Sequence, residues 1–338
     1  MLQRIVDSGR VPEPVLRAGI RAVCALRLVQ ERRRPPGHRD ALIAALRDSE
    51  IAIAPEAANA QHYEVPAAFF ARVLGPHLKY SCAYWPAGVD ALSAAEAAML
   101  ELTAARAGLA DGQAVLDLGC GWGSLTLWAA ARFPHSRFTA ISNSQSQREH
   151  IAAEAHRRGL ASVTVRTADV RTLELPGGAF DRVVSIEMFE HMRNYQALLR
   201  RIAGWLAPGG ALFVHVFAHR RHAYPFEDAG ASDWMAREFF TGGLMPSVDL
   251  LHAFQDDLAI TAAWQLDGSH YARTAEAWYA NLMAHRAEAA ALLGSRARVE
   301  RWRVFFLACA ELFGFRGGRE WGIAHYRFEP RLSSAPSR

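Results

Sequence analysis

Nine consecutive residues, Val115-Leu116-Asp117-Leu118-Gly119-Cys120-Gly121-Trp122-Gly123, limit the fold more than any other stretch of the chain. An apolar run of strand character ends in three glycines at alternate positions and then enters a helix-forming segment. Glycine lets the backbone turn sharply and approach a ligand with no Cβ in the way. The same rhythm continues downstream. Short β-branched or apolar runs at AVLDLG, RFTAIS, VTVRTAD, FDRVVSIEM and ALFVHVFA alternate with helical patterns at 124–132, 145–158 and 194–206. That alternation predicts an α/β fold with a doubly wound, mostly parallel sheet. Ligands of such sheets bind beyond the carboxyl ends of the strands, where the glycine turn lies.

The flanks differ from this block. Residues 1–50 carry apolar side chains at helical spacing (Ile5, Val15, Leu16, Ile20, Val23, Leu26), broken at Arg34-Pro35-Pro36-Gly37 and resumed over 39–48. They predict an N-terminal helical arm over 1–58, layered on one α/β domain over 59–330. The aromatic stretch 59–90 leads into a helix from Ser93, with Glu96 at capping-box spacing. Beyond about 220, polar turns and aromatic helices predict a cap over the carboxyl edge of the sheet, and 331–338 reads as a disordered tail.

Composition removes other classes. With 338 residues, 51% hydrophobic and 21% charged, the chain can bury one large core and a smaller subdomain, so a collagen, a coiled coil or a wholly disordered chain is excluded. No apolar run approaches the roughly 20 residues of a spanning helix, and MLQRIVDSGR lacks a signal-peptide h-region. A soluble cytoplasmic protein is expected. Cys24, Cys82, Cys120 and Cys309 form no CxxC pair, which predicts reduced thiols. The histidines at 62, 77, 219 and 222 have no ligand spacing, and no metal is expected. The net charge of +4 is uneven, because residues 1–40 hold nine arginines against four acids. Such an arm is ordinarily a solvated helix face. A peripheral contact with anionic lipid is the alternative, and no nucleic-acid partner is expected. Lys79 is the only lysine, which reads as a trait of composition.

Around the glycine turn lie further marks in a fixed order. Asp117 sits inside the motif, Asp169 and Val170 follow the third strand, Phe180-Asp181 opens the fourth, and Leu206-Ala207-Pro208-Gly209-Gly210 precedes the fifth. A lone glycine turn also suits a dinucleotide, but this ordered set resembles the Rossmann-like S-adenosylmethionine-dependent methyltransferases. The resemblance implies that the glycine turn abuts the methionyl part of the cofactor and that Asp169 meets the adenine amine. The second strand departs from the pattern. It ends Ser142-Asn143-Ser144-Gln145-Ser146-Gln147, where an acid usually grips the ribose hydroxyls. Asn and Gln can pair with those hydroxyls as neutral partners.

After the fourth strand comes Ser185-Ile186-Glu187-Met188-Phe189-Glu190-His191-Met192. In a helix, Glu187 and His191 would share one face at i and i+4, with Glu190 beside them. Two acids and a histidine near a cofactor suit a cationic or proton-releasing substrate. Tyr80-Ser81-Cys82-Ala83-Tyr84, the glycine turn, Asn194-Tyr195, His270-Tyr271-Ala272-Arg273-Thr274 and Trp278 resemble the cyclopropane-fatty-acyl-phospholipid synthase superfamily. Within it, SIEMFEHM, LFVHVF, HAYPFED, SDWMAREFFTGGLMPS, FQDDLAI and ELFGF are most similar to the coclaurine N-methyltransferase-like enzymes.

The resemblance implies that Tyr80, Ser81, Asp117, Gly119, Gly121, Gly123, Asn143, Gln147, Asp169 and Val170 hold S-adenosylmethionine. On the N-methyltransferase branch, Glu187 anchors a small amine, His191 takes its proton near neutrality and Glu190 orients the imidazole. On the lipid branch a methyl group goes to a cis alkene, and Cys82, Glu190, His215 and Tyr271 hold a bicarbonate. The lipid enzymes carry glycine where this chain has Glu187, and a Pro-containing turn in place of Thr241-Gly242-Gly243. An unpartnered buried charge is costly beside an acyl chain, which favours the amine. Cys309 matches a cysteine of the synthases, yet its setting among Phe305, Phe306, Leu307, Leu312 and Phe313 predicts a buried small hydrophobe. A non-enzymatic module keeping the cofactor fold is a third reading, disfavoured by the intact glycine turn and acid–histidine set. The methyl acceptor, the number of methyl groups and the oligomeric state, a homodimer among the options, stay open.

Overall fold

Leu116, Val183, Val184, Leu212 and Val214 are fully buried, as strands covered on both faces require. The computed structural model describes residues 2–53, 65–227 and 234–331. Its main sheet has seven strands: β1 (Ala114–Leu118), β2 (Arg137–Ser142), β3 (Val163–Thr167), β4 (Phe180–Ile186), β5 (Leu206–His219), β8 (Leu258–Asp267) and β9 (Trp321–Pro330). Their spatial order is β3-β2-β1-β4-β5-β9-β8. β1 to β5 are mutually parallel, and β9 runs antiparallel to β5 and β8. The doubly wound, mostly parallel sheet is therefore present. Two of its strands come from the region expected only as a cap. β8 reads LAITAAWQLD, alanine-rich and half-covered, so its apolar alternation is faint.

Three helices follow the expected positions: α6 (Ser124–Arg132), α7 (Gln145–Arg157) and α8 (Tyr195–Trp205). α8 is capped by Asn194, whose side-chain oxygen accepts from the Ala197 N–H at 2.9 Å. Two earlier helices are α4 (Ala67–Val73) and α5 (Leu92–Ala107). Glu96 does not form a capping box on α5. It is buried, and its carboxylate accepts the N–H groups of Gly75 (3.0 Å) and His77 (2.9 Å). That pins the loop leading to Lys79 against the helix.

Beyond the sheet edge, the short strands β6 (Tyr224–Pro225) and β7 (Leu244–Met245) pair with each other, with α9 (Trp234–Glu238) between them. α10 (Ser269–Ala284), α11 (Arg286–Leu293) and α12 (Arg296–Gly314) connect β8 to β9. Phe239, Trp302, Phe305 and Phe306 form an aromatic core here, with Phe239 stacked on Phe305 at 4.1 Å. Cys309 lies buried in this core. The expected tail falls, from residue 332 on, outside the described residues, as does 54–64.

The arm consists of α1 (Leu2–Asp7), α2 (Glu13–Arg32) and α3 (His38–Asp48). It is bound to the body by both apolar and ionic contacts. Cys24 and Leu28 enter the aromatic core. Arg17 bonds Glu276 at 2.6 Å and Glu311 at 2.9 Å, Arg21 bonds Glu311, and Asp7 bonds Arg301 at 2.7 Å. Arg39 and Arg47 pair with Asp249 and Asp256. Much of the arm's positive charge is thus matched by acids of the body. No helix among the described residues is long and apolar enough to cross a membrane.

Arg17→Met strips the half-buried Glu311 of one of its two cations, and Glu276 and Glu13 of a partner. The expected cost lies between an exposed and a buried ion pair, about 2 kcal/mol. Urea unfolding should show the midpoint falling at unchanged slope; an unmoved midpoint would mean that these ion pairs do not secure the arm.

Candidate active site

The carboxyl ends of β1, β2 and β4 open onto two adjoining cavities that share Gly119, Gly121, Gln147 and Glu187 in their walls. The turn after β1 is left-handed at Gly119, Gly121 and Gly123, with φ of 88°, 53° and 81°, a region that favours glycine. The three glycines have different neighbours. A Cβ on Gly119 would meet Met188 at 2.8 Å and one on Gly123 would meet Ile151 at 2.7 Å, whereas one on Gly121 would point into open space. Gly119 and Gly123 thus allow close packing, and Gly121 leaves the cradle clear.

Polar atoms without hydrogen-bond partners face this cradle. Trp122 Nε1, Ser124 Oγ and Gln147 Nε2 are buried and unsatisfied, a cost that a polar ligand would relieve. Gln147 is held by its other amide atom, which accepts from Ser142 Oγ at 2.7 Å. Asp117 is buried, accepts from Thr126 Oγ1 at 2.7 Å, and is pushed up to about 6 by burial. Asn143, Asp169 and Val170 line the first cavity, and Tyr80 and Ser81 the second. The donor set and cleared turn fit an elongated, polar cofactor. Asp169 Oδ2 also accepts from both Nε and Nη2 of Arg171, at 2.8 and 2.7 Å. Ser81 Oγ is occupied by Lys79 Nζ at 2.5 Å.

The acid–histidine segment does not form the expected helix. Glu187 adopts a left-handed backbone, φ 48°, and Phe189–His191 make a single 3-10 turn. Glu187 N–H donates to the His215 carbonyl at 2.8 Å, which turns its carboxylate inward. Oε1 accepts from the Cys82 N–H at 2.9 Å and pairs with His215 Nε2 at 3.2 Å, while Oε2 accepts from Tyr271 OH at 2.7 Å. Tyr271 is held in place by stacking on Phe313 at 4.2 Å. Cys82 contributes its backbone N–H here. Its thiol is pushed well above the ordinary range by burial and by Glu187, so it is not a thiolate.

Two expected roles change. Glu190 does not orient His191: its Oε1 accepts from the Phe217 N–H at 2.7 Å and its Oε2 has no hydrogen bond. Burial and the nearby Glu187 push Glu190 well above the carboxylate range. His191 lines the first cavity and stacks on Phe240 at 6.0 Å. Burial pushes it down to about 4, against the opposing pull of Glu187. It is neutral near pH 7, but too weak a base to hold a proton there. Glu187 moves the other way, raised by burial despite Lys79. Cys309 is pushed up by burial and by Glu187, consistent with the inert hydrophobe expected.

Lys79 is the residue the sequence reading passed over. It is fully buried, and Nζ donates to Ser81 Oγ at 2.5 Å and to the Cys82 carbonyl at 2.6 Å. It therefore braces the same loop whose N–H holds Glu187. The available signal was its singularity: every other side-chain cation of the K/R class is arginine.

Comparison with known proteins agrees with this geometry. The family described as mycolic acid cyclopropane synthetase matches residues 52–318. An (S)-coclaurine N-methyltransferase from Thalictrum flavum subsp. glaucum is 39% identical over 307 residues, covering 86% of this chain and 83% of that one. The cyclopropane-fatty-acyl-phospholipid synthase of Escherichia coli (strain K12) is 30% identical over 270 residues, covering 79% and 67%. A crystal structure of coclaurine N-methyltransferase bound to N-methylheliamine and S-adenosylhomocysteine superposes with a TM-score of 0.92 at 36% identity. It covers 97% of this chain and 98% of that one.

Gly119→Ala forces a Cβ onto Met188 from a left-handed backbone. Calorimetric titration with S-adenosylhomocysteine should show at least tenfold weaker binding. Wild-type affinity would mean that the turn is not the cofactor's seat.

Proposed function

The chain belongs to the mycolic acid cyclopropane synthetase family and is an S-adenosylmethionine-dependent methyltransferase, and from that premise we propose that its acceptor is the nitrogen of a small cationic amine. One observation carries this reading. The resemblance assigns bicarbonate, on the lipid branch, to Cys82, Glu190, His215 and Tyr271. Three of those four positions are instead hydrogen-bonded to the carboxylate of Glu187. The chain supplies its own carboxylate where the lipid enzymes take one from solution. An external anion beside it would meet like-charge repulsion in a buried, weakly screened site.

What remains useful is a carboxylate at the wall of the first cavity, where the cofactor side carries Asn143 and Asp169 and the remaining wall includes Met188, Met192, Ala52 and Gly242. That surface suits an ammonium on an apolar body, and the relatives named N-methyltransferases are consistent with it. An ammonium cannot act as nucleophile until it loses a proton. Glu187 both attracts the cation and, raised by burial, is the better acceptor of that proton. His191, stacked on Phe240, lines the same cavity. When bound, S-adenosylmethionine supplies an electrophilic methyl group on its sulfonium. The protein's part is to fix the amine against Glu187 with its freed lone pair aligned, which removes much of the entropic barrier.

Glu187→Gln keeps size and removes charge. With methyl-labelled cofactor and a panel of secondary and tertiary amines, kcat/KM should fall by about 10²–10³, in the range of general acid–base effects, with cofactor affinity within twofold. Unsaturated phospholipid vesicles with bicarbonate, assayed alongside, should yield no lipid product. Undiminished amine turnover in the variant, or a bicarbonate-dependent lipid product, would defeat the reading.

A further inference from the structure

Behind Glu187 a line of hydrogen bonds runs sideways through the sheet. Glu187 follows β4, and His215 Nε2 lies 3.2 Å from its Oε1. Across the next strand pair, His215 on β5 is in direct register with His325 on β9. His325 Nε2 is 2.9 Å from His215 Nδ1, and both rings are fully buried. His325 Nδ1 is in turn 2.7 Å from Arg106 Nη1, in the last turn of α5. Arg106 rests over Trp264 of β8, its Cζ 4.9 Å from the ring centre.

The two ends of this line fix its direction. An arginine only donates, and an ionised carboxylate only accepts. Arg106 therefore requires a lone pair on His325 Nδ1, which places that ring's proton on Nε2. That proton requires a lone pair on His215 Nδ1, so the second ring also carries its proton on Nε2, aimed at Glu187. A doubly protonated ring at either place would set two donors against each other. Burial pushes both histidines well below their ordinary range, in keeping with the neutral pair.

We propose that His325 and Arg106 are positioning residues for Glu187, forming a one-way hydrogen-bonded wire that holds its carboxylate ionised and oriented. The proposal rests on the reading that Glu187 receives the substrate cation, since that task requires the anion. The wire is not an exit for protons, because arginine does not give up its own. Its effect is to deny His215 the other tautomer, whose bare Nε2 would repel the carboxylate and favour its protonated form. The other groups facing Glu187 are Lys79, Cys82, His191, Tyr271, Glu190 and Cys309. Among them Lys79 also favours the anion, so loss of the wire should shift the ionisation of Glu187 and not abolish it.

The test uses the full chain saturated with S-adenosylhomocysteine, so it does not depend on finding the acceptor. Nitrogen-15 spectra of the histidine rings should show the Nε2–H tautomer at both 215 and 325. Carbon-13 titration of the Glu187 carboxyl should show His325→Phe raising its midpoint by about one unit, a tenfold change in ionisation constant. Arg106→Met should move it in the same direction and serves where the phenylalanine variant does not fold. His325→Gln, which keeps an acceptor for Arg106 and a donor for His215, should restore the midpoint to within a few tenths of a unit. An Nδ1–H tautomer at His215, or a midpoint unmoved in both disrupting variants, would overturn the wire. Failure of the amine reading appears elsewhere, as full turnover in Glu187→Gln, and leaves these spectra unchanged.

Discussion

A carboxylate removed from water persists only where donors replace the lost solvent, and at Glu187 that requirement organises the molecule. Its donors arrive from three separate places: the Cys82 N–H from the loop before α5, His215 from β5 and Tyr271 from α10. Each must be held by something else. Lys79 and Glu96 brace the loop, register with β9 fixes His215, and Phe313 of α12 supports Tyr271. The left-handed backbone at Glu187 is a strain of the order of 1–3 kcal/mol that surrounding contacts must over-determine. Its N–H to the His215 carbonyl does so, locking main chain and side chain to the same neighbour.

The same constraint explains the charge states around it. The buried cluster has four carboxyl or imidazole groups besides Glu187 within two strands, and each is shifted toward its neutral form: Glu190 upward, His191, His215 and His325 downward. Lys79 is shifted down as well, yet its ammonium is satisfied by two oxygen acceptors. Were Glu190 and Glu187 both ionised, their repulsion would fall on groups with no water to screen it. Glu187 is itself raised by burial, but unlike Glu190 it has Lys79, the Cys82 N–H and Tyr271 working to hold it as the anion.

The fold was legible where local chemistry leaves a local mark. Three glycines at alternate positions announced the turn because left-handed backbone excludes most other residues, and the apolar runs announced the buried parallel strands because both of their faces are covered. β8 was not legible, since an antiparallel strand with one half-covered face and several alanines has little apolar contrast, and β9, though mostly buried, carries Gly, His and Arg that break its apolar run. Within the site, Glu187 was recognisable by type and position, but its local conformation was not: the segment could have been a helix, and only its pairing to His215 turns it. Glu190 and His191 were expected to act together because they are adjacent in sequence; a 3-10 turn sends them to different neighbours. His325 could not have been found at all. Its partner lies 110 residues away, and cross-strand register is set by the whole sheet. Lys79 left the smallest mark, one residue whose meaning lies in its burial.

On the proposed reading, a single side chain separates two chemistries on one scaffold. The donors at Cys82, His215 and Tyr271 make a cradle for a planar, negatively charged carboxyl group, and such a cradle is indifferent to whether that group is a free ion or tethered to the chain. With glycine at the position of Glu187, as the resemblance gives for the lipid branch, the cradle is open to a diffusible anion that can take a proton from a carbocation and depart. With glutamate there, the anion is permanent, its concentration is fixed by covalent attachment, and its position is set to within the freedom of a few torsions. A permanent anion favours a substrate that arrives already charged and penalises a neutral alkene, which offers nothing to offset the charge beside it. On the proposed reading, the group that selects the acceptor occupies the space of a ligand rather than of a structural residue, so such a change needs no rebuilding of the cofactor seat or the sheet.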